Sequence, residues 1–444
     1  MLRKRYFGPS LVYAIQGLMG VAGQNLTDAQ VFEVSARLAE GAKTSWELGT
    51  RAQAILSLNV TAYSVLSPSK PLPPSSSVPS EVSTSLEPVL EIARTVVAGR
   101  GASNGNITGP QALIRDGSAA DPASIGVAVL LANWTGQGGE DYAGAAKDQL
   151  DFLLLEVPRT SDGAISHRVE QVQLWSDFVY MVPPFLAYYG VTTQNRTLLV
   201  QAHDQIKLYR SYLRDTKANN LWKHVLLGVN GTDEGHWSTG NGWAAAGMLR
   251  VLGTIQNSQY AKTMKNEQKD LAAWIKEIHG GMYPHLDSDT NLFPNYASRA
   301  VDARGNFLDA SSTALMASTV YRLSLLWGEH SHLPMAERSR KALSSPSATS
   351  TGPTNSNSNS STAELLHLSN AGWLTPVVNP HSYGVQGSES PEGQAFVVEM
   401  QAAWRDWVAD GSKGANGAGA SRWEGMGLWA WIWVGVCVFS GFII

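Results

Sequence analysis

Cysteine is almost absent from this chain of 444 residues; the single one, Cys437, lies in an apolar run near the C-terminus. An internal disulfide framework and a cysteine-based metal site are therefore both excluded. Charge is sparse and nearly balanced, with 33 basic and 37 acidic residues and no basic block beyond "MLRKR" at the start. Nucleic acid is not expected as a partner on that basis. Alternating β-branched runs are scarce, which argues against an all-β fold. Adjacent Asp-Asp pairs are missing altogether.

The two ends read as processing signals. Residues 1–23 combine a basic start, the apolar stretch "YFGPSLVYAIQGLMGV" and the small residues Val21, Ala22 and Gly23, the layout of a secretory signal peptide. Seven Asn-x-Ser/Thr sequons agree with secretion: Asn25, Asn59, Asn106, Asn133, Asn195, Asn230 and Asn359. At the other end a polar spacer (411–427) with small residues precedes an uncharged apolar tail (428–444). That order is expected of a glycolipid-anchor signal, a retained transmembrane helix being the alternative. The expected membrane partner is thus reached through the C-terminal anchor or tail.

Between the signals, residues 24–410 read as one domain. Apolar spacing is helical over 27–41, 46–66, 81–99, 121–136, 140–156, 171–189, 197–214, 239–257, 261–278, 310–327, 334–344 and 391–408. Two low-complexity stretches, 67–80 and 344–364, hold too few apolar residues to order themselves and are expected to be solvated loops. Three loops resemble one another: "TSDGAISH", "DTKANNLWKH" and "DSDTNLFPN" each run from Asp through a turn to His or Asn. Their last residues are 57 and then 71 positions apart, about one helical pair per repeat. Twelve helices with that period predict an all-α fold, a closed toroid of six hairpins with the repeated loops lining a central cleft.

Asp177 stands out within "EQVQLWSDFVYMVPPFLAYYG" (170–190), an acid in the middle of an aromatic-rich helical run. Desolvation there is expected to raise its pKa and let it hold a proton near neutral pH. The run around it, "LWKH" (221–224), "HWSTGNGW" (236–243) and "DARGNFLDASSTALM" (302–316), occur in that order. Together with "SPEGQAF" (390–396) they resemble the unsaturated glucuronyl and rhamnogalacturonyl hydrolases, glycoside hydrolase families 88 and 105. The resemblance covers roughly residues 115–325 and implies an (α/α)6 barrel, in agreement with the helix count.

It also implies roles. Asp177 would be the general acid/base, and Asp121, in "AADPASIG", its accessory carboxylate. Substrate contacts would come from His224, His167, Trp175, Trp237, Trp243, Thr239 and Asn241. The implied reaction is protonation of C4 and addition of water at C5 of a terminal unsaturated uronic acid, with no metal or organic cofactor. The partner is an oligosaccharide or polysaccharide. One position departs: where the family usually carries Arg in Trp-x-Arg-Gly-Asn-Gly-Trp, this chain has Thr239. A hydroxyl cannot replace a planar bidentate donor, so the holder of a substrate carboxylate stays open. Two other readings remain beside this one. A conventional cell-wall glycosidase or transglycosidase could use the same barrel, although the anchored mannan enzymes it resembles typically carry an Asp-Asp pair. A wall-anchored binding protein without turnover is the third.

Overall fold

The computed structural model describes residues 25–347, 361 and 364–415. The expected signal peptide, the spacer from 416 on and the apolar tail of the expected lipid-anchor signal, Asn359 and most of the 344–364 stretch lie outside the described residues.

Twelve α-helices occupy the described residues: α1 (Asp28–Gly41), α2 (Ser45–Asn59), α3 (Ser80–Ser103), α4 (Gly126–Trp134), α5 (Tyr142–Asp151), α6 (Phe178–Thr192), α7 (Arg196–Leu213), α8 (Ser238–Asn257), α9 (Lys265–Met282), α10 (Ala310–Trp327), α11 (Leu333–Leu343) and α12 (Pro391–Ala409). The even-numbered helices form a closed inner ring. Each packs on the next, and α12 returns to α2. The odd-numbered helices lie outside, α7 against α6, α9 against α8 and α11 against α10. This is the six-hairpin (α/α)6 toroid.

Sequence decides which ring a helix joins. Every residue from Ser238 to Ile255 in α8 and from Ala310 to Ser324 in α10 is buried, so these helices carry no polar outer face to present to water. Outer helices keep one apolar stripe; α7 buries Leu198, Leu199, Ala202, Ile206, Tyr209 and Leu213 at helical spacing. Small residues let the inner helices close up. A Cβ on Gly247 of α8 would lie 2.0 Å from the Val179 carbonyl oxygen of α6, so only glycine fits there.

Four short antiparallel pairs shape the loops at one end of the ring. β1 (Leu174–Trp175) pairs with β4 (Val225–Leu226), and β2 (Arg214–Asp215) with β3 (Leu221–Trp222). β5 (Phe293–Pro294) pairs with β6 (Leu308–Asp309), and β7 (Val377–Asn379) with β8 (Ser382–Gly387).

The structure corrects the sequence reading in two places that matter. Residues 171–177 are not helical: Leu174 and Trp175 pair with Leu226 and Val225, and α6 starts only at Phe178. Asp177 is thus the N-cap residue of α6, not a mid-helix acid. The local pattern is apolar enough for a helix, but pairing with a distant strand wins. The 67–80 stretch is also less free than its composition implies. Leu72 is buried and donates its amide to the Asn257 carbonyl (2.9 Å), while the Trp134 indole bonds the Pro74 carbonyl (2.8 Å). Its order is borrowed from the ends of α4 and α8.

Candidate active site

The N-terminal ends of the inner helices bring their acids together. Glu47 sits in the first turn of α2, Asp121 in the short 3-10 turn (Asp121–Ile125) leading into α4, and Asp177 at the start of α6. Asp309 caps α10 and Glu392 lies in the first turn of α12. Helix N-termini favour negative charge, so one rim of the toroid is suited to carboxylates.

Asp177 and His224 form the centre. His224 is fully buried, with Nε2 3.5 Å from Asp177 Oδ2 and Nδ1 3.0 Å from Asp233 Oδ2. Tyr296 donates its hydroxyl to the same Asp233 oxygen (2.6 Å). Burial opposes charge on His224, but the two carboxylates outweigh it and its pKa is raised. Burial likewise pushes Asp177 up, yet hydrogen bonding to His224 and the charge of that imidazole win, and its carboxyl lies below its ordinary value. The expected upward shift of Asp177 is therefore overturned. The aromatic run gives desolvation, but an imidazole from another loop stabilises the anion. Asp233 is drawn down to about 2: burial raises it, and bonds from His224 and Tyr296 prevail.

Asp121 behaves in the opposite way. Burial, then the charges of Asp116 and Asp177, push it up to about 8. His167 Nε2 lies 3.4 Å from Asp121 Oδ1, but burial holds this imidazole down at about 3, so it brings no charge. The two acids named from sequence are thus close enough to interact and are driven apart in proton affinity, one anionic and one protonated at neutral pH.

Aromatic rings frame the pair. His167 stacks on Trp175 at 5.0 Å, and Trp175 meets His224 edge-on at 5.3 Å. Trp237 lies 4.5 Å from His224, its indole bonded to Asn295 (2.9 Å). His167, His224 and Asn295, the closing residues of the three similar loops, therefore join one cluster. Trp175 stays half-buried at the rim and offers the exposed face a pyranose could cover.

Other residues named from sequence fall elsewhere. Trp243 is only 1 % exposed, packed between Tyr180 (4.3 Å) and Phe396 (4.7 Å), which corrects its reading as a sugar contact. Asn241 is also core: its amide accepts from the Trp222 amide (2.8 Å) and donates to the carbonyls of Trp222 and Trp237 (3.0 Å each), leaving little for a ligand. It ties the Trp222 strand to the start of α8. Thr239 is wholly buried, and its hydroxyl bonds Asp309 Oδ2 (3.3 Å). All three positions lie in the first two turns of α8, where every residue is buried.

Sequence reading missed several members. Asp233, Tyr296 and Tyr383 carry no motif signal of their own; Tyr383 of β8 stands edge-on to His224 at 4.4 Å and to Trp175 at 6.1 Å. Glu392 accepts the Trp46 indole N–H (3.2 Å), and burial, then Glu47, Asp177 and Asp309, raise it well above its usual value. Among the described residues no cluster of His, Cys, Asp and Glu is arranged to hold a metal ion.

Asp309 holds the rim together. Its carboxylate accepts from the amides of Ser312 (2.8 Å) and Val378 (3.0 Å) as well as from Ser311 and Thr239, so it caps α10 and anchors the β7–β8 hairpin. Asp309→Ala should cost about 2–4 kcal/mol, since buried amides lose their acceptor. Urea unfolding checks this; a loss under about 1 kcal/mol would mean water replaces the carboxylate.

Comparison with known proteins agrees with this geometry. Residues 89–365 match the sequence profile of Glycosyl Hydrolase Family 88. No curated protein sequence matches the chain. Among solved structures, a possible GH105 family member from Klebsiella pneumoniae superposes with a TM-score of 0.60 at 15% identity, over 91% of this chain and 95% of that one. A family 105 glycoside hydrolase of C. acetobutylicum gives 0.58 at 14% identity, over 85% and 99%. The unsaturated glucuronyl hydrolase of Bacillus sp. GL1, responsible for glycosaminoglycan degradation, gives 0.53 at 12% identity, over 84% and 94%. At such identities the superpositions show a shared fold, while the profile match extends over more than half of the chain. This chain, a six-hairpin toroid with paired acids on its rim, belongs to Glycosyl Hydrolase Family 88 and is a glycoside hydrolase.

Proposed function

We propose that the enzyme removes a terminal 4,5-unsaturated uronic acid from pectin- or rhamnogalacturonan-derived oligosaccharides. The observation that carries this reading is the split pair: Asp121 at about 8 stores a proton beside the Asp177 carboxylate. A substrate carboxylate arriving at the rim adds negative charge and expels water, and both effects raise Asp177. Asp177 then takes up the stored proton and delivers it to C4. Water adds at C5, and its surplus proton returns to Asp177. The C5 hemiketal opens by breaking the bond from C5 to the ring oxygen. The ring oxygen becomes the hydroxyl of a C1 hemiacetal, which collapses and releases the rest of the saccharide. His224, clamped by Asp233, positions Asp177 and does not itself touch the sugar.

The test is loss of the unsaturated chromophore when purified protein meets pectin-lyase products. Wild type should bleach it, with one reducing saccharide released per uronate. Bleaching absent while a saturated glycoside is cleaved would instead favour a conventional glycosidase on this fold.

We further read the protein as secreted and lipid-anchored. Asn59, Asn106, Asn133, Asn195 and Asn230 are all exposed, as glycan acceptors must be. Release from washed membranes by a phosphatidylinositol-specific phospholipase supports the anchor; retention in the pellet supports an uncleaved tail.

A further inference from the structure

A uronate needs a cation, and Thr239, buried against Asp309, supplies none. The cations around the site narrow the choice. Lys223 is paired with Glu234. Arg299 lies 4.0 Å over the Tyr296 ring. Arg250 is buried and bonded to the Tyr180 carbonyl (2.9 Å), and Arg322 is bonded to Asp406 (2.7 Å).

Arg168 differs from all of these. It faces Ser118 across a single antiparallel bridge, and residues opposed in such a bridge project their side chains to the same side. The Ser118 hydroxyl on that side accepts the Asp121 amide (3.0 Å) and lies 3.4 Å from His167 Nε2. The guanidinium runs back over Gly117, where an added Cβ would sit 3.5 Å from Nη2; glycine leaves that approach open. The side chain is half-exposed and makes no hydrogen bond or ion pair among the described residues. Its field nevertheless reaches Asp116, Asp121 and His167. A forked donor without a partner, beside the proton-storing acid and next to a ring of the aromatic cluster, has the form of a carboxylate receptor.

We propose that Arg168 binds the carboxylate of the substrate's terminal uronate and takes the part that Thr239 cannot play, an inference that rests on the uronate reading of the site. The bond is a two-pronged one from the guanidinium to both carboxylate oxygens, and it fixes C5 above the acid pair. Arg168 is thereby a specificity determinant that reads C6 of the sugar.

The experiment compares two disaccharides that differ only at C6 of the terminal ring, a saturated glucuronide and the matching glucoside. Binding to the full-length protein is followed by calorimetry. Wild type should prefer the glucuronide. Arg168→Gln should weaken that ligand on the order of 10- to 100-fold, the range for losing a charge-assisted contact, and leave the glucoside within about twofold. Arg168→Lys should lose less than the glutamine variant, because a point charge keeps part of the attraction.

Unchanged glucuronide affinity in Arg168→Gln overturns the inference, and so does an equal loss for both sugars in both variants, which would mark a structural arginine. A wild type that binds neither disaccharide overturns it too. A wild type that binds the glucuronide through Arg168 but never bleaches the unsaturated chromophore sinks the proposed reaction and leaves the receptor standing.

Discussion

Asp177→Asn is expected to fold like the wild type and to lose on the order of 100-fold or more of its turnover, the usual range for removing a general acid/base. The exchange is nearly isosteric, and the two groups nearest the carboxylate tolerate it. His224 Nε2, 3.5 Å away, can meet an amide oxygen in place of a carboxylate oxygen, and the Ser176 hydroxyl at 3.1 Å can do the same. Charge is what disappears. His224 keeps its partner Asp233 but loses one of the two anions that raise it, so its pKa should fall. Histidine NMR titration reads that shift independently of activity. Turnover and the titration must change together; near wild-type turnover on the best substrate found would make Asp177 a structural residue.

Asp121→Asn should have two opposite effects, one on activity and one on stability. The proton stored on Asp121 is held up to about pH 8, so wild-type activity is expected to fall as pH rises through that value. The variant has no such store and should lose both most of its turnover and this alkaline limb. Stability moves the other way. The folded pKa of Asp121 is raised above its unfolded value, so the unfolded state ionises first as pH climbs from about 4. The folded wild type is then destabilised progressively until about pH 8, above which the cost is constant. Asparagine avoids that cost. The variant should gain about 2–4 kcal/mol over wild type at pH 8, and little or nothing at pH 4. Denaturant unfolding at the two pH values checks the sign. A difference independent of pH would mean that Asp121 ionises normally in the folded protein.

These two acids sit at one rim because the helices carrying them are inner helices, and that much was legible in the sequence. The apolar period marks nearly every helix: α10 was expected over 310–327 and runs from Ala310 to Trp327, and α8 was expected from 239 and starts at Ser238. Prolines and polar caps, as at Ser390-Pro391, fix where such helices start. The three similar loops also pointed correctly to a shared face, since His167, His224 and Asn295 meet there.

The resemblance of the motifs implied Asp121, while sequence by itself determined the helical toroid, the order of its motifs and the placing of Asp177 among aromatic residues. These follow from periodicity and local chemistry, which act over a few residues. Only the tertiary structure decided what those acids do. Asp177 became an N-cap because Leu174 and Trp175 pair with β4, and it became an anion because His224, from another loop, faces it. Asp121 became the protonated partner because the fold buries it, and because Asp116 and Asp177 converge on it. Asn241 and Trp243 read like site residues yet turn into the core, while Asp233 and Tyr383 read like ordinary loop residues yet reach His224. Charge state and burial are set by neighbours brought together across the fold. A window of sequence contains the residue but not the field it will feel.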